Sequence, residues 1–252
     1  MQVEWGSLKA AELRALAERD AVVILPVAAI EQHGPHLPVM TDTLLCGEIA
    51  RRAAEKASER QPTVVAPTVW SGLSEHHMPF GGTFTLDFPT LHAVLRCLCR
   101  CLERHGFKRV LLLNGHGGND FALKVVAEQL AHELEITLAT ATYWHLAAEP
   151  FRGILERQDN VDHACEAETS MVLALRPELV DSARFEEAKE PRRGGGPAGA
   201  YRWRSFAGRT RSGAIGDPTA ASAEKGERLL EAAADSVAAL ILNEQFWGSP
   251  VL

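Results

Sequence analysis

The sequence has little of what would tie it to a membrane, to nucleic acid or to a secretory route. Its 252 residues contain no window near the roughly 18 uninterrupted apolar residues that a membrane-spanning helix needs. Lys and Arg number 26 against 33 Asp and Glu, and the net charge of −7 argues against nucleic acid and anionic membranes as partners. The opening segment MQVEWGSLKAAELRAL has no basic region followed by an apolar core, so no secretory signal is expected.

Cysteine is also scarce, and its odd count of five does not fit a disulfide framework. Cys97, Cys99 and Cys101 form a C-x-C-x-C run that invites a metal interpretation. The leucines around them follow helical spacing, and on a helix residues two apart point in nearly opposite directions. Cys99 therefore cannot join its neighbours at one ion. We expect free thiols in a reducing, cytoplasmic environment.

Helical patterns and short apolar runs alternate from residue 8 to about residue 145. This order predicts a single α/β domain over residues 1–252, with a mostly parallel sheet covered by helices on both faces. Pro67 should lie near a sheet edge or a bulge. Asp217 and Pro218 should cap and begin the last helix. The predicted segments are helices 8–19, 43–59, 89–105, 119–133 and 166–175, and strands 21–30, 63–70, 109–113 and 136–143.

The most informative stretch is LPVAAIEQHGPHLPVMTDT, residues 25–43. An apolar strand breaks here into a loop that carries Glu31, His33, His36 and Asp42. Glu31 and His33 are two residues apart, so on extended backbone they project from the same face. Carboxylates and imidazoles at the carboxyl end of a buried strand are suitable ligands for zinc or manganese.

A second motif, NGHGGN over residues 114–119, follows another apolar strand and opens a helix. Glycines at a helix N-terminus also occur in nucleotide-binding loops. That alternative fits poorly, because Asp120 stands where the third glycine belongs and His116 has no role in such a loop. A metal site gives His116 a direct role as a ligand.

A third segment, HACEAETS over residues 163–170, places His163 before a helix and Glu168 in its first turn. Glu166 and Glu168 are two apart on a helix, so only one can easily face a metal. The pattern GAIGDPTAASAEKG, residues 213–226, follows later. The motifs EQHGPHLP…TD, NGHGGN and HA…ETS, in this order, resemble those of the creatininase family of metal hydrolases.

This resemblance implies a three-layer αβα sandwich, commonly assembled as a homohexamer, with two divalent ions per chain that are zinc and/or manganese, with iron as an option. Asp42 would bridge the ions, with Glu31 and His116 on one and His33 and Glu168 on the other. Glu168 is chosen over Glu166, which is predicted to be a solvated first-turn acid. His163 matches the catalytic histidine. Weaker candidates for support or substrate contact are His36, Ser74, Glu75, His76 and Asn160.

The expected activity is hydrolysis, by a metal-activated water, of a cyclic amide, a formamide or a similar C–N bond of a small molecule, other than an ordinary peptide bond. A peptidase of the mycofactocin-maturation type is one alternative, and a non-catalytic metal-binding assembly subunit is another. Two departures argue against creatininase proper. Gly118 replaces a ligand glutamate of the second motif, and Asp159 and Asn160 replace a Trp-Asp pair that holds creatinine.

Residues 181–213 form a long basic segment, rich in glycine and arginine, with little apolar periodicity. Segments of this kind within a domain are functional loops or mobile linkers. Three interpretations stay open: an active-site loop, a subunit contact and a flexible insertion. An active-site location would favour a phosphorylated or carboxylated substrate, although charge runs are more often solvated surface.

Overall fold

The sheet consists of four parallel strands whose order places the first and third strands at its centre. A computed structural model of the chain describes residues 2–191 and 201–248. The strand order is β2-β1-β3-β4. The strands are β1 (Val22–Val27), β2 (Thr63–Val65), β3 (Arg109–Asn114) and β4 (Thr137–Thr142). β1 pairs in register with β3 from Val22 opposite Arg109 to Val27 opposite Asn114.

Helices cover both faces of this sheet. Val22 and Ile24 of β1 belong to one buried cluster, whereas Val23 and Leu25 belong to the other, because neighbouring residues of a strand point to opposite faces. The three-layer α/β prediction is therefore confirmed. The helices of the described residues are α1 (Ala10–Glu18), α2 (Thr41–Ala57), α3 (Phe88–Arg104), α4 (Asp120–Ala131), α5 (Tyr143–Leu146), α6 (Ala148–Arg152), α7 (Glu166–Leu175), α8 (Phe185–Ala188) and α9 (Ala223–Ile241).

The layers differ in their helices. α2, α7 and α9 pack with one face of the sheet, since Leu45, Val172 and Leu229 share its cluster. α1, α3 and α4 pack with the other face, where Leu91 and Leu123 are fully buried. None of the helices in the described ranges is long and apolar enough to cross a bilayer.

The sequence placed the longer elements correctly but misplaced some ends. β2 stops at Val65, before Pro67, and lies at the sheet edge, which agrees with the position expected for this proline. The predicted start of the last helix is wrong. The Asp217 side chain accepts a hydrogen bond from the Thr219 N–H and caps only a 3-10 turn, Pro218–Ala220. α9 begins at Ala223, after a second cap in which Ser222 Oγ accepts from the Lys225 N–H.

The cysteine run behaves as its helical spacing predicted. Cys99 is buried in the core beneath α3, whereas Cys97 and Cys101 are exposed. All five cysteines are free thiols. They form neither a disulfide nor a metal cluster within the described part of the chain.

The basic segment is only partly described. Arg192, Arg193 and the glycines 194–196 lie outside the described residues. Before this gap, residues 182–184 form a 3-10 turn and α8 follows it. After the gap, residues 201–209 run along a cleft at the carboxyl ends of the strands, with a 3-10 turn at Phe206–Gly208. This is the edge at which ligands bind in open parallel sheets.

Candidate metal centre

The loop after β1 brings Glu31 and His33 to the carboxyl edge of the sheet. Both side chains are buried, at 1% and 0% exposure. Gly34 then takes a φ of +64°, a left-handed conformation that suits glycine, and the chain reverses toward α2. The first turn of α2 presents Asp42, which is 4% exposed. Local backbone geometry thus delivers three of the predicted ligands to one buried place.

Asp42 lies between two groups of candidate ligands. Its Oδ2 is 3.0 Å from His116 Nδ1, which is also 3.0 Å from Glu31 Oε2. Its Oδ1 is 3.1 Å from His33 Nε2, which lies 3.8 Å from Glu168 Oε1. In each group one potential ligand atom from every residue lies within 4.8 Å of the others. A third such group joins Glu31 and His33 to His163.

Backbone carbonyls determine which histidine nitrogens face these groups. His33 Nδ1 donates to the Glu31 carbonyl at 3.1 Å, and His116 Nε2 donates to the Leu73 carbonyl at 3.1 Å. A carbonyl can only accept, so His33 Nε2 and His116 Nδ1 are the nitrogens that can offer a lone pair. Metal-binding histidines are commonly oriented in this way by their second nitrogen.

His33 Nε2 supplies an independent test of whether a metal fits. This buried atom makes no hydrogen bond of good geometry in the described part of the chain, although it lies among carboxylate oxygens. Buried polar atoms are normally hydrogen-bonded, and a bare imidazole nitrogen aimed at two carboxylates suits a cation. The residues present therefore fit a divalent metal ion.

The charges of the centre depend on one another. Burial by itself would raise the pKa of Glu31, but His116 and His77 outweigh it and hold that pKa well below its usual range. Burial would lower the pKa of His116, but the carboxylates of Glu31 and Asp42 raise it to about 10. For Glu168, burial raises the pKa. Without a metal, protonated imidazoles neutralise the buried carboxylates, so a metal ion would have to displace protons.

His163 lies beside the centre on the loop before α7. Its Nε2 donates to the Gln32 carbonyl at 2.8 Å, and its Nδ1 lies 3.7 Å from Glu31 Oε1. Burial and the nearby imidazoles of His33 and His77 hold the pKa of His163 well below its usual range. The imidazole is therefore neutral at pH 7, with Nδ1 as its proton acceptor. The next residue, Ala164, has a φ of +53°.

Glu168 reaches back to this loop. Its Oε2 accepts the Ala164 N–H at 2.5 Å, while its Oε1 faces His33. A positive φ is strained for alanine, and the hydrogen bond from its N–H helps to hold this conformation. One carboxylate thus links the candidate ligand group to the backbone that positions His163.

The weaker candidates have different locations. Ser74 Oγ is buried and donates to Glu31 Oε2 at 2.8 Å. His76 stacks on His116 with ring centroids 5.7 Å apart, and Glu75 is exposed at the cleft. His36 Nε2 bonds Thr169 Oγ1 at 2.8 Å, so it braces α7 without contacting a candidate ligand.

Asn160 does not reach the cleft. Its side-chain amide donates to the Trp144 carbonyl at 3.2 Å, and its oxygen accepts from the Val161 N–H. Asn160 is absent from the lining of the cleft, which instead includes Trp144 itself. The hydrogen bonds of Asn160 stabilise its own loop. The indole that lines the cleft belongs to Trp144, which lies in a different part of the chain.

Sequence reasoning missed His77 and Gln32. His77 is 1% exposed, and its Nε2 lies 3.1 Å from Glu31 Oε1. The Gln32 side chain contacts His77 Nδ1 at 2.7 Å. His77 follows His76 in a loop without periodicity, and only the 3-10 turn Glu75–Phe80 decides which imidazole turns inward. The position of Gln32 between two candidate ligands was the available signal.

The prediction that Glu166 is solvated is wrong. Glu166 is fully buried and accepts hydrogen bonds from the backbone N–H groups of Glu156 and Arg157. Lys225 of α9 lies 2.7 Å from its Oε1. A buried carboxylate needs such partners, and these come from elements distant in sequence. Of the two glutamates, Glu168 is therefore the one at the centre.

Gly118 is confined by the centre itself. A Cβ at this position would lie 2.2 Å from the Leu73 carbonyl oxygen and 2.4 Å from His116 Nε2. The glutamate expected in creatininase proper has no room here unless this backbone moves. Glu168 instead supplies the carboxylate that lies with His33 and Asp42 in one group of candidate ligands.

A cleft of about 1120 Å³ opens over the centre. Glu31, Asp42, His116, His163 and Glu168 all line it. Its lining also includes aromatic and basic side chains, namely Phe121, Trp144, His145, Tyr201, Arg202, Trp203, Arg204, Phe206 and Arg209.

The family model described as creatininase, creatinine amidohydrolase, matches residues 6–241. The chain belongs to the creatininase family. It is 30% identical over 251 residues to creatinine amidohydrolase of Pseudomonas putida, covering 91% of this chain and 92% of that protein. It is 33% identical over 218 residues to the mycofactocin precursor peptide peptidase of Mycolicibacterium smegmatis, covering 82% and 79%.

Solved structures of creatininase share the fold of this family member. A structure described as creatininase Mn aligns with a TM-score of 0.81 at 27% identity, covering 99% of this chain and 100% of that chain. A creatininase variant described as Zn-Zn type gives a TM-score of 0.79 at 28% identity, with the same coverage. The resemblance stated from the motifs is thereby confirmed, and the chain is a creatininase-family amidohydrolase that belongs to the wider family.

Proposed function

We propose that this protein is a dinuclear-metal amidohydrolase that cleaves a C–N bond of a substrate larger than creatinine. The observation that carries this proposal is the position of Asp42. Its two carboxylate oxygens face different imidazole nitrogens, His116 Nδ1 and His33 Nε2, at 3.0 and 3.1 Å. A carboxylate that offers one oxygen to each of two groups suits the bridge of a two-metal site.

Glu31 and His116 would hold one ion, His33 and Glu168 would hold the other, and Asp42 would bind both. Two divalent ions there would supply Lewis acidity, which lowers the pKa of a water and polarises a carbonyl. Zinc and manganese are the metals we expect, because the ligands are imidazole nitrogens and carboxylate oxygens. The creatininase structures described as Mn and Zn-Zn forms support this choice.

His163 would move the proton. Neutral at pH 7, it accepts a proton from the attacking water at Nδ1 and delivers that proton to the leaving nitrogen. Its Nε2–H stays on the Gln32 carbonyl throughout, which keeps the ring in one orientation. Phe206 packs on the ring at a centroid distance of 4.6 Å and shields it from solvent.

The cleft supports a substrate larger than a single small ring. Its volume of about 1120 Å³ lies slightly above the roughly 300–1,000 Å³ that is usual for ligand sites. A formamide on a larger heterocycle and a modified peptide both remain candidates, and the similarity to a mycofactocin precursor peptide peptidase favours the second. A homo-oligomer, a hexamer by family resemblance, is also expected and is testable by sedimentation.

Metal content and hydrolysis measured together test the proposal. The purified protein should bind about two ions per chain. It should also hydrolyse a formamidopyrimidine or a short peptide in preference to creatinine, and chelation should abolish this activity. Asp42→Ala should lose both ions and activity. Asp235→Ala, an exposed aspartate paired with Lys56 on the surface, is the matched control. Metal binding without hydrolysis of any probe would favour a non-catalytic metal-binding subunit.

A further inference from the structure

The outer wall of the cleft combines guanidinium groups with aromatic rings. Arg202, Arg204 and Arg209 line the cleft from one short segment, together with Tyr201 and Trp203. These five residues and Phe206 are called the arginine wall. The candidate ligands of the metal centre are carboxylates and imidazoles. None of the residues of the wall is one of these candidate ligands.

Phe206 connects this wall to the reacting groups. It is 5% exposed, and its ring lies 4.0 Å from that of His77 and 4.6 Å from that of His163. The Arg209 guanidinium carbon lies 4.3 Å over the same ring. An Arg209 nitrogen also donates to the Arg204 carbonyl at 3.1 Å. Arg209 is therefore held at a set position, one ring away from His163.

Two of the acids that line the cleft, Asp87 and Asp120, already have partners. Asp120 lies 2.8 Å from Lys124 Nζ and accepts from Thr142 Oγ1, and Asp87 caps α3 through the Thr90 N–H. Neither Arg202 nor Arg204 forms an ion pair with another of the described residues. Guanidinium groups in a cleft, with aromatic faces beside them, are suited to an anionic group carried on a planar body.

We propose that the arginine wall binds an anionic group of the substrate, a carboxylate or a phosphate, one ring distant from the scissile C–N bond. The spacing follows from the position of Arg209 over the Phe206 ring and from the edge-to-face contact of Phe206 with His163. Tyr201, Trp203 and Trp144 would hold the planar body between these two ends. The predicted effect on KM rests on the proposed function. The predicted binding of an anion does not, because binding can be measured without hydrolysis.

Three matched formamides test the inference. Formanilide is neutral, 4-formamidobenzoate adds a carboxylate, and 4-formamidophenyl phosphate adds a phosphate at the same place. Binding to the chelator-treated full-length protein is followed by quenching of tryptophan fluorescence, so the metal centre cannot bind the anion. At least one anionic probe should bind about tenfold or more tightly than formanilide, because charge-assisted hydrogen bonds are the stronger ones. The preferred anion distinguishes the two chemistries.

Variants locate the binding. Arg204→Gln and Arg209→Gln should each remove most of the preference for the anionic probe. Arg209→Lys, which keeps a positive charge, should retain part of that preference. Arg211→Gln is the matched control, since Arg211 is 85% exposed, pairs with Glu190 and does not line the cleft. Thermal melting checks that each variant is folded. If Arg209→Gln does not fold, Arg204→Gln still tests the proposal.

Equal binding of the three probes, or an equal loss in Arg211→Gln, would overturn the inference. A different outcome would overturn the proposed function alone: the protein would discriminate among the probes as expected, yet bind no metal and hydrolyse no formamide. With the metal-loaded protein, the wall variants should raise KM for the anionic formamide by a larger factor than KM for formanilide, whereas Arg211→Gln should change neither.

Discussion

The side-chain nitrogen of Gln32 lies 2.7 Å from Nδ1 of His77, and this contact determines which nitrogen of His77 carries the proton. Gln32 Oε1 accepts the Gly34 N–H, and its nitrogen donates to the Gly213 carbonyl, so the amide orientation is fixed by backbone groups. His77 Nδ1 must therefore accept a hydrogen bond. Its Nε2–H is then available to donate to Glu31 Oε1, 3.1 Å away.

Loss of this contact should weaken metal binding. Gln32→Met removes the donor that fixes the His77 tautomer, so the hydrogen bond from His77 to Glu31 Oε1 is no longer fixed. Changes in residues that orient ligands typically cost 10–100-fold in metal affinity, and we expect a loss of about this size. Competition with a chelator measures it, and nitrogen chemical shifts of His77 report the tautomer. Gln61→Met, which removes an exposed amide bonded to the Asp20 carbonyl, is the control. Unchanged affinity in Gln32→Met would contradict the prediction.

His163 should be separable from metal binding. We expect His163→Gln to keep about two ions per chain and to lower turnover roughly 10²–10⁴-fold, the usual contribution of an acid–base group. His132→Gln, an exposed histidine at the end of α4, should have no effect on either. Elemental analysis and steady-state kinetics decide the matter. Loss of metal in His163→Gln would make this residue a ligand, as its grouping with Glu31 and His33 allows.

Lys225 should be important for stability. It holds the buried Glu166 at 2.7 Å, and Glu166 in turn binds the backbone of the loop that leads to His163. Lys225→Met would leave a buried charge unpaired, which costs about 3–5 kcal/mol in the free energy of unfolding. Arg152→Met, which breaks the exposed pair with Glu149, should cost at most about 1 kcal/mol. Urea unfolding of the two variants compares these costs.

This stabilisation should also depend on pH. Burial by itself lowers the pKa of Lys225, but Glu156 and Glu166 outweigh it and raise that pKa above its ordinary value of 10.5. A raised lysine pKa contributes stability that is fully present below the unfolded value and lost as pH rises through the folded value. The difference between wild type and Lys225→Met should therefore be constant near neutrality and shrink only above about pH 10.5. A difference that shrinks at neutral pH would contradict this assignment.

Gly118 and Gly117 should respond differently to the same substitution. A Cβ at Gly118 meets the Leu73 carbonyl and His116, whereas a Cβ at Gly117 meets nothing within 4 Å. Gly118→Ala should cost about 1–3 kcal/mol from overpacking and reduce metal content. Gly117→Ala should leave metal content unchanged. Equal behaviour of the two variants would mean that Gly118 does not constrain His116.

Creatinine should be a poor substrate. Gly118 removes the glutamate of the creatininase motif, and Asn160 binds the Trp144 carbonyl and does not line the cleft. A cleft of about 1120 Å³ also leaves much of a small ring in contact with water. A steady-state assay against creatinine, a formamidopyrimidine and a short peptide tests this expectation. A creatinine kcat/KM within about tenfold of the best value would contradict it.

The sequence predicted most of the fold because the signals for it are local. Apolar runs gave the central strands β1 and β3, and helical spacing gave α3 and α7, since side-chain period follows directly from backbone geometry. The start of α9 was misplaced because two capping residues, Asp217 and Ser222, occur within six positions of each other. Only packing against the core decides which of two adequate caps begins the helix.

By itself, the sequence determined which residues are candidate metal ligands and where along the strands they occur. Glu31 and His33 follow β1, His116 follows β3, and parallel strands bring their carboxyl ends to one edge. The tertiary structure decided everything that depends on contacts between distant segments. It turned His77 inward, buried Glu166 against Lys225 and gave Glu168 to the centre. These outcomes are not local because a buried charge or imidazole is stable only beside partners that the fold supplies.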